Sequence, residues 1–98
     1  MSEGTKLSSG EKTTDAVIAD RRSSLHGVLL IPDGTNDLTL VIYDNASAAS
    51  GTILFKAIVK GSDTSFQWLS PEGGIRAVNG MYADITTSGS ASYIVHYT

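Results

Sequence analysis

Few residues in this chain have the types that do chemistry. His26 and His96 are its only imidazoles, and it has no cysteine. A catalytic zinc ion takes three protein ligands, so these two would need an acid such as Asp84 folded beside them. A Ser–His–Asp relay would draw on His96, but serine is so common here that a serine near a histidine carries little weight. Oxygen-rich turns are the next candidates, with Asp33, Asn36 and Asp37 in one and Asp44 and Asn45 in another. Hard cations take such oxygens. The spacing departs from that of a calcium-binding loop, and local Asx-turn bonding explains the same residue types. The aromatic side chains are Tyr43, Phe55, Phe66, Trp68, Tyr82, Tyr93 and Tyr97. Exposed on adjacent strands, such rings stack on sugars or bases; otherwise they fill cores and interfaces. Tyr82 is the most exposed candidate, with Trp68 as its partner in a sugar-stacking reading. No Gly-rich loop joins a strand to a helix to cradle phosphate. No catalytic residue, metal or cofactor is therefore assigned, and no small-molecule ligand is expected.

Charge narrows the partners further. The net charge is −3. Lys6, Lys12, Arg21 and Arg22 are balanced by Glu3, Glu11, Asp15 and Asp20, so the first part of the chain is neutral. The remainder carries Lys56, Lys60 and Arg76 against Asp33, Asp37, Asp44, Asp63, Glu72 and Asp84. Direct binding to nucleic acid needs a positive field, and the pair Arg21–Arg22 is too short to supply one. The longest apolar run, around Val28 to Ile31, is too short to span a membrane. The start of the chain has no apolar stretch of a secretory leader, so synthesis in the cytoplasm is expected.

These residues are positioned by strands. Residues 1–14 are polar, with Leu7 as the one large apolar side chain, and read as a flexible arm. Residues 15–98 read as a single domain. Strands are expected over 15–22, 24–31, 38–44, 51–60, 65–70, 75–78, 81–86 and 92–97. Turn chemistry separates them, with Asp33-Gly34, Gly51, Asn79-Gly80 and Gly89 as the turn-forming positions. Pro32 ends the second strand because it cannot donate to a ladder. In 38–44, Leu38, Leu40 and Ile42 oppose Thr39, Val41 and Tyr43. In 51–60, Ile53, Phe55, Ala57 and Val59 form one face and Thr52, Leu54, Lys56, Ile58 and Lys60 the other, amphipathic one. The lysines suit an edge strand. Asn79-Gly80 fits a type I′ hairpin turn with positive φ at both residues, and the second half reads as an antiparallel meander. Regular strand spacing without helical periodicity makes the chain all-β, a small antiparallel β-sandwich (jelly-roll-like) or closed barrel of about eight short strands.

The stretch from Trp68 to Tyr97 carries an aromatic strand, then Gly-Ile-Arg-Ala-Val-Asn-Gly-Met-Tyr-Ala-Asp-Ile, then Gly-Ser-Ala-Ser-Tyr-Ile-Val-His-Tyr-Thr. With Val41-Ile42-Tyr43-Asp44 and the Ala-Ser-Gly-Thr at 49–52, it resembles small virion-associated proteins of tailed bacteriophages. The resemblance spans about residues 25–97 and rests on turn and strand residues. It implies a structural role as capsid decoration, cement or tail component. Tyr43, Gly51, Gly80, Tyr82, Gly89 and Tyr93 carry over as fold-forming positions, and no catalytic residue comes with it.

The expected function is thus a non-enzymatic virion structural protein, a homo-oligomer that contacts capsid or tail proteins, with Leu7, Leu54, Lys56, Ile58 and Tyr82 as candidate interface residues. The alternative is a carbohydrate- or receptor-binding β-module. A small hydrolase using His96 ranks last.

Overall fold

The computed structural model describes residues 6–63, 65–70 and 72–98. Among these, nine strands form two antiparallel sheets around one core. They are β1 (Leu7–Ser8), β2 (Ala16–Ala19), β3 (Ser23–Ile31), β4 (Leu38–Tyr43), β5 (Ile53–Val59), β6 (Phe66–Leu69), β7 (Ile75–Ala77), β8 (Met81–Thr87) and β9 (Ser92–Tyr97). One sheet, here sheet A, runs β1–β9–β3, with β6 and β7 sharing the far side of β3. β7 pairs Ser23 to Leu25, and β6 pairs Gly27 to Leu30. Sheet B runs β2–β8–β4–β5. The pairings are nested: β4 with β5, β3 with β6 and β7, β2 with β8, β1 with β9.

Alternation places the core. Leu38, Leu40 and Ile42 of β4 are solvent-inaccessible, as are Leu25 and Leu30 of β3, Met81 and Ala83 of β8, and Tyr93 and Val95 of β9. Leu25 and Val28 are three residues apart, yet both are buried. A bulge between Leu25 and Gly27 inserts one extra residue opposite β9, so the strand's inward face shifts by one position there. Phe55 and Trp68 close the core between the sheets, their rings tilted by 42° with centroids 4.9 Å apart.

Four sequence expectations change. The second half is not a meander, because β7 belongs to sheet A and β8 to sheet B. Asn79-Gly80 is accordingly a crossover between sheets and not a type I′ turn: Gly80 has φ 144°, and among the described residues none other than glycine, Asn79 included, has positive φ. The crossover is held from a distance, since the Asp44 carboxylate accepts the N–H groups of Val78 and Asn79 at 3.1 and 2.8 Å.

The polar stretch read as an arm supplies an edge strand over part of its length. Residues 1–5 lie outside the described residues. Leu7 and Ser8 pair with Tyr97 and His96, and Lys12 exchanges two 2.9 Å backbone hydrogen bonds with Tyr93. The Ser9 and Glu11 side chains bond the same strand, at the Val95 N–H and the Ser92 hydroxyl. Hydrogen bonding here takes the place of apolar burial, which is why hydrophobic periodicity gave no sign of it. Finally, a bulge between Ile42 and Tyr43 pairs Tyr43 with Ile53, leaving Leu54 as the extra residue. Leu54 packs against the core and Ile53 is 50% exposed, the reverse of the alternation expected for that end of β5.

Candidate functional site

The residues examined for chemistry do not converge. His96 pairs with Gly27 and Ser8 on the outside of sheet A, whereas Asp84 pairs with Val41 on the outside of sheet B. His26 Nε2 lies 3.0 Å from the Thr98 hydroxyl. Among the described residues no group of three or more His, Cys, Asp or Glu side chains is placed to hold a metal ion. In the oxygen-rich turns, the acceptors already face N–H donors. Asp33 accepts from Thr35, Asn36 and Ser90; Asp37 accepts from Gly61; Asn45 accepts from Ser47 and Ala48. Local turn bonding is thus the chemistry these residues perform. Gly34 and Gly51 occupy their turns with positive φ, and Gly89 lies against the Asp33 carboxylate.

What the fold does assemble is the outer face of sheet B. Directly opposed residues in antiparallel strands share a face, so the register defines rows across it. One row runs Val17, Tyr82, Tyr43, Ile53 over β2, β8, β4 and β5. The next holds Asp84, Val41 and Lys56, and the third Thr86, Thr39 and Ile58. Val17, Ile53 and Ile58 are 45%, 50% and 68% exposed. Of the expected interface residues, Lys56, Ile58 and Tyr82 lie on this face. Leu54 does not, because of the bulge. Leu7 is half exposed on β1, at a groove of about 590 Å³ that Val17, Ile18 and Tyr97 also line. Trp68 faces the core, so it cannot partner Tyr82 in stacking on a sugar; Tyr43 is the ring beside Tyr82.

Asp15 adds a charge to the second row. It precedes the Ala16–Ala83 pair by one residue, which places it beside Asp84, and its carboxylate accepts the Ile85 N–H at 2.8 Å. Partial burial, and then the neighbouring Asp15 carboxylate, push the Asp84 carboxyl above the usual range. Below the face, the buried Tyr93 hydroxyl donates to the Thr14 carbonyl at 2.7 Å. Its pKa is pushed up to about 12, by burial first and then by Asp15, Tyr82 and Asp84. It is a neutral structural donor at ordinary pH. The face thus has acids at one end of a row, a lysine at the other, and an aromatic–aliphatic row alongside. Nothing in it resembles a nucleophile with its base.

The outward positions of Tyr43 and Tyr82 are legible from alternation. Their adjacency is not, because it depends on β4 pairing with β8, four strands away in sequence. No protein-family model, curated protein or solved structure matches the chain.

Proposed function

We propose that this chain is a non-enzymatic structural protein of a bacteriophage virion, a jelly-roll module that joins a capsid or tail through protein–protein contacts. The nested strand pairing supports the jelly-roll reading. In that fold a long antiparallel hairpin rolls over itself so that its paired strands wrap one core as two sheets. The orders β1–β9–β3–β6/β7 and β2–β8–β4–β5 are those such a roll produces. The observation that carries the functional reading is the outer face of sheet B, where Val17, Ile53 and Ile58 remain exposed beside two tyrosines. Exposed apolar side chains grouped on one face mark a contact surface. The resemblance of residues 68–97 to small virion-associated proteins gives that surface its setting, in a particle assembled from proteins made in the host cytoplasm.

Mass spectrometry of purified particles from the source tests this. The chain should be present in a fixed ratio to capsid or tail proteins and should survive repeated banding of the particles. Abundant expression in infected cells with none in the particles would sink the reading. The adjacency of Tyr43 and Tyr82 favours carbohydrate binding as the second reading. A glycan-array screen tests it, with Tyr82→Ala expected to abolish any signal.

A further inference from the structure

We infer that the outer face of sheet B is a self-complementary surface on which a second copy of this chain docks about a two-fold axis parallel to the strands, midway between β4 and β8. The inference deepens the assembly reading and rests on it. The register of sheet B supports it. A rotation of 180° about that axis lays β5 of one copy over β2 of the other, and β4 over β8, without moving residues along the strands. In the aromatic row, Ile53 then meets the second copy's Val17, and Tyr43 meets its Tyr82. In the neighbouring row, Lys56 meets the acidic end formed by Asp15 and Asp84, and the second copy's Lys56 does the same in return.

An isologous interface requires that each side chain's counterpart be complementary when the patch is turned on itself. The outer face of sheet B meets that condition along the aromatic row, apolar on apolar and ring on ring, and at the ends of the neighbouring row, cation on acids; between those ends Val41 meets the second copy's Asp84. It also explains two features that are unfavourable in a lone chain. Two carboxylates lie side by side, Asp15 just before β2 and Asp84 on β8, where like charges repel, and Ile53 and Ile58 sit exposed on an edge strand. A second copy's lysine neutralises the first feature, and its apolar row covers part of the second. Facing sheets pack about 10 Å apart, a gap that two opposed layers of side chains fill. An angle of about 30° between them displaces the outermost pairs by a few ångström, within the reach of a lysine stem. The patch is roughly 20 Å by 20 Å from strand spacing and rise. That is smaller than the ~800 Å² each partner gives a standard interface, so association at micromolar concentration is expected.

Sedimentation velocity of the full chain from low to high micromolar concentration tests this. A reversible dimer is expected. Lys56→Glu should weaken it at least tenfold, and so should Asp15→Lys. Mixing those two variants should restore a dimer, since each then offers the charge the other lacks. Asp15 also bonds the Ile85 N–H, so each variant is first checked by thermal melting. A second measurement does not depend on Asp15: the chain is free of cysteine, so Ile53→Cys mixed with Val17→Cys should form a disulfide heterodimer in preference to either homodimer. A monomer throughout the range overturns the inference, and if the chain is nonetheless found in particles the virion reading stands without it. A dimer that ignores the charge swap and fails to cross-link overturns it by placing the contact elsewhere. A monomer whose Tyr43 and Tyr82 resonances shift on adding a glycan overturns it in favour of sugar binding.

Discussion

Asp33 and Asp44 stand at opposite ends of the sheets, one in the turn before β4 and the other just after that strand. Both carboxylates accept backbone N–H groups, but they organise different things. Asp33 mostly folds its own turn, accepting from Thr35 at 2.9 Å and from Asn36 at 2.8 Å, with a single long-range bond from Ser90 at 3.0 Å. Both bonds from Asp44 to the crossover go to Val78 and Asn79, which lie 34 and 35 residues away in the chain. Beneath that crossover Gly80 presses against the Ala19 carbonyl and Ala46, so the end of β2 and the links β4–β5 and β7–β8 meet at one point. A carboxylate that shapes its own loop can be lost with local consequences. One that ties the β4–β5 link to the crossover between the sheets cannot.

The sharpest way to break this contrast is Gly80→Val. A Cβ at Gly80 would fall 2.5 Å from the Ala19 oxygen, and the φ of 144° is itself one that side-chain-bearing residues avoid. Strain and overlap together should destabilise the domain by about 3 kcal/mol or more, read by urea melting. Asp44→Ala should follow, at about 2–3 kcal/mol, because it removes two charge-assisted bonds and leaves two N–H groups without their acceptor. If Asp44→Ala costs no more than Asp33→Ala, the distinction between a joining carboxylate and a local one fails.

The same contrast explains what the sequence could reveal. The Asp33 turn was legible because Pro32-Asp33-Gly34-Thr35-Asn36 contains both partners of most of its bonds. All eight expected strands are present, since alternation and turn residues are local properties. Asn79-Gly80 misled for the opposite reason. Its composition is that of a hairpin turn, but the competing partner, Asp44, lies in a different loop. Register was equally hidden: one extra residue at Leu54 exchanges it with Ile53, and no local pattern marks such a bulge. The candidate site inherits this. Outward-facing Tyr43, Lys56 and Tyr82 could be named one by one, but their rows are a product of strand order.

Acid sharpens the comparison with a smaller effect. The Asn36 side chain, then the N–H groups of Asn36, Thr35 and Ser90, hold the Asp33 carboxyl well below the usual carboxylate range. The unfolded chain takes up this proton near pH ~3.9, and the folded chain only at lower pH. The stabilisation is therefore complete above about pH 4 and is lost as the pH falls below that towards the folded value. Asp33→Asn should lower the melting temperature by a few degrees at pH 7, and the difference from the parent chain should narrow on acidification. A difference that is constant with pH would show that the carboxylate charge is not what its donors recognise.

The smallest effect is expected at Asp84, where the sign reverses. Partial burial and the neighbouring Asp15 raise its carboxyl above the usual range, so the folded chain binds this proton more readily than the unfolded one. The charged form then detracts from stability. That penalty is complete above the folded value, fades as the pH falls through it, and is gone below about 3.9, where both states are protonated. Asp84→Asn keeps the shape of the side chain and removes the charge. In solution dilute enough to hold the chain as a monomer, it should raise the melting temperature by a degree or two at pH 7 and leave it unchanged near pH 3. The position is partly exposed, and solvent screening keeps the gain small. Asp33→Asn and Asp84→Asn should therefore move melting temperature in opposite directions at pH 7 and converge on the parent chain in acid. A loss of stability at pH 7 from Asp84→Asn would mean that this carboxylate, like Asp33 and Asp44, is anchored by donors, and that the acidic end of the sheet B face is satisfied without a second copy's lysine.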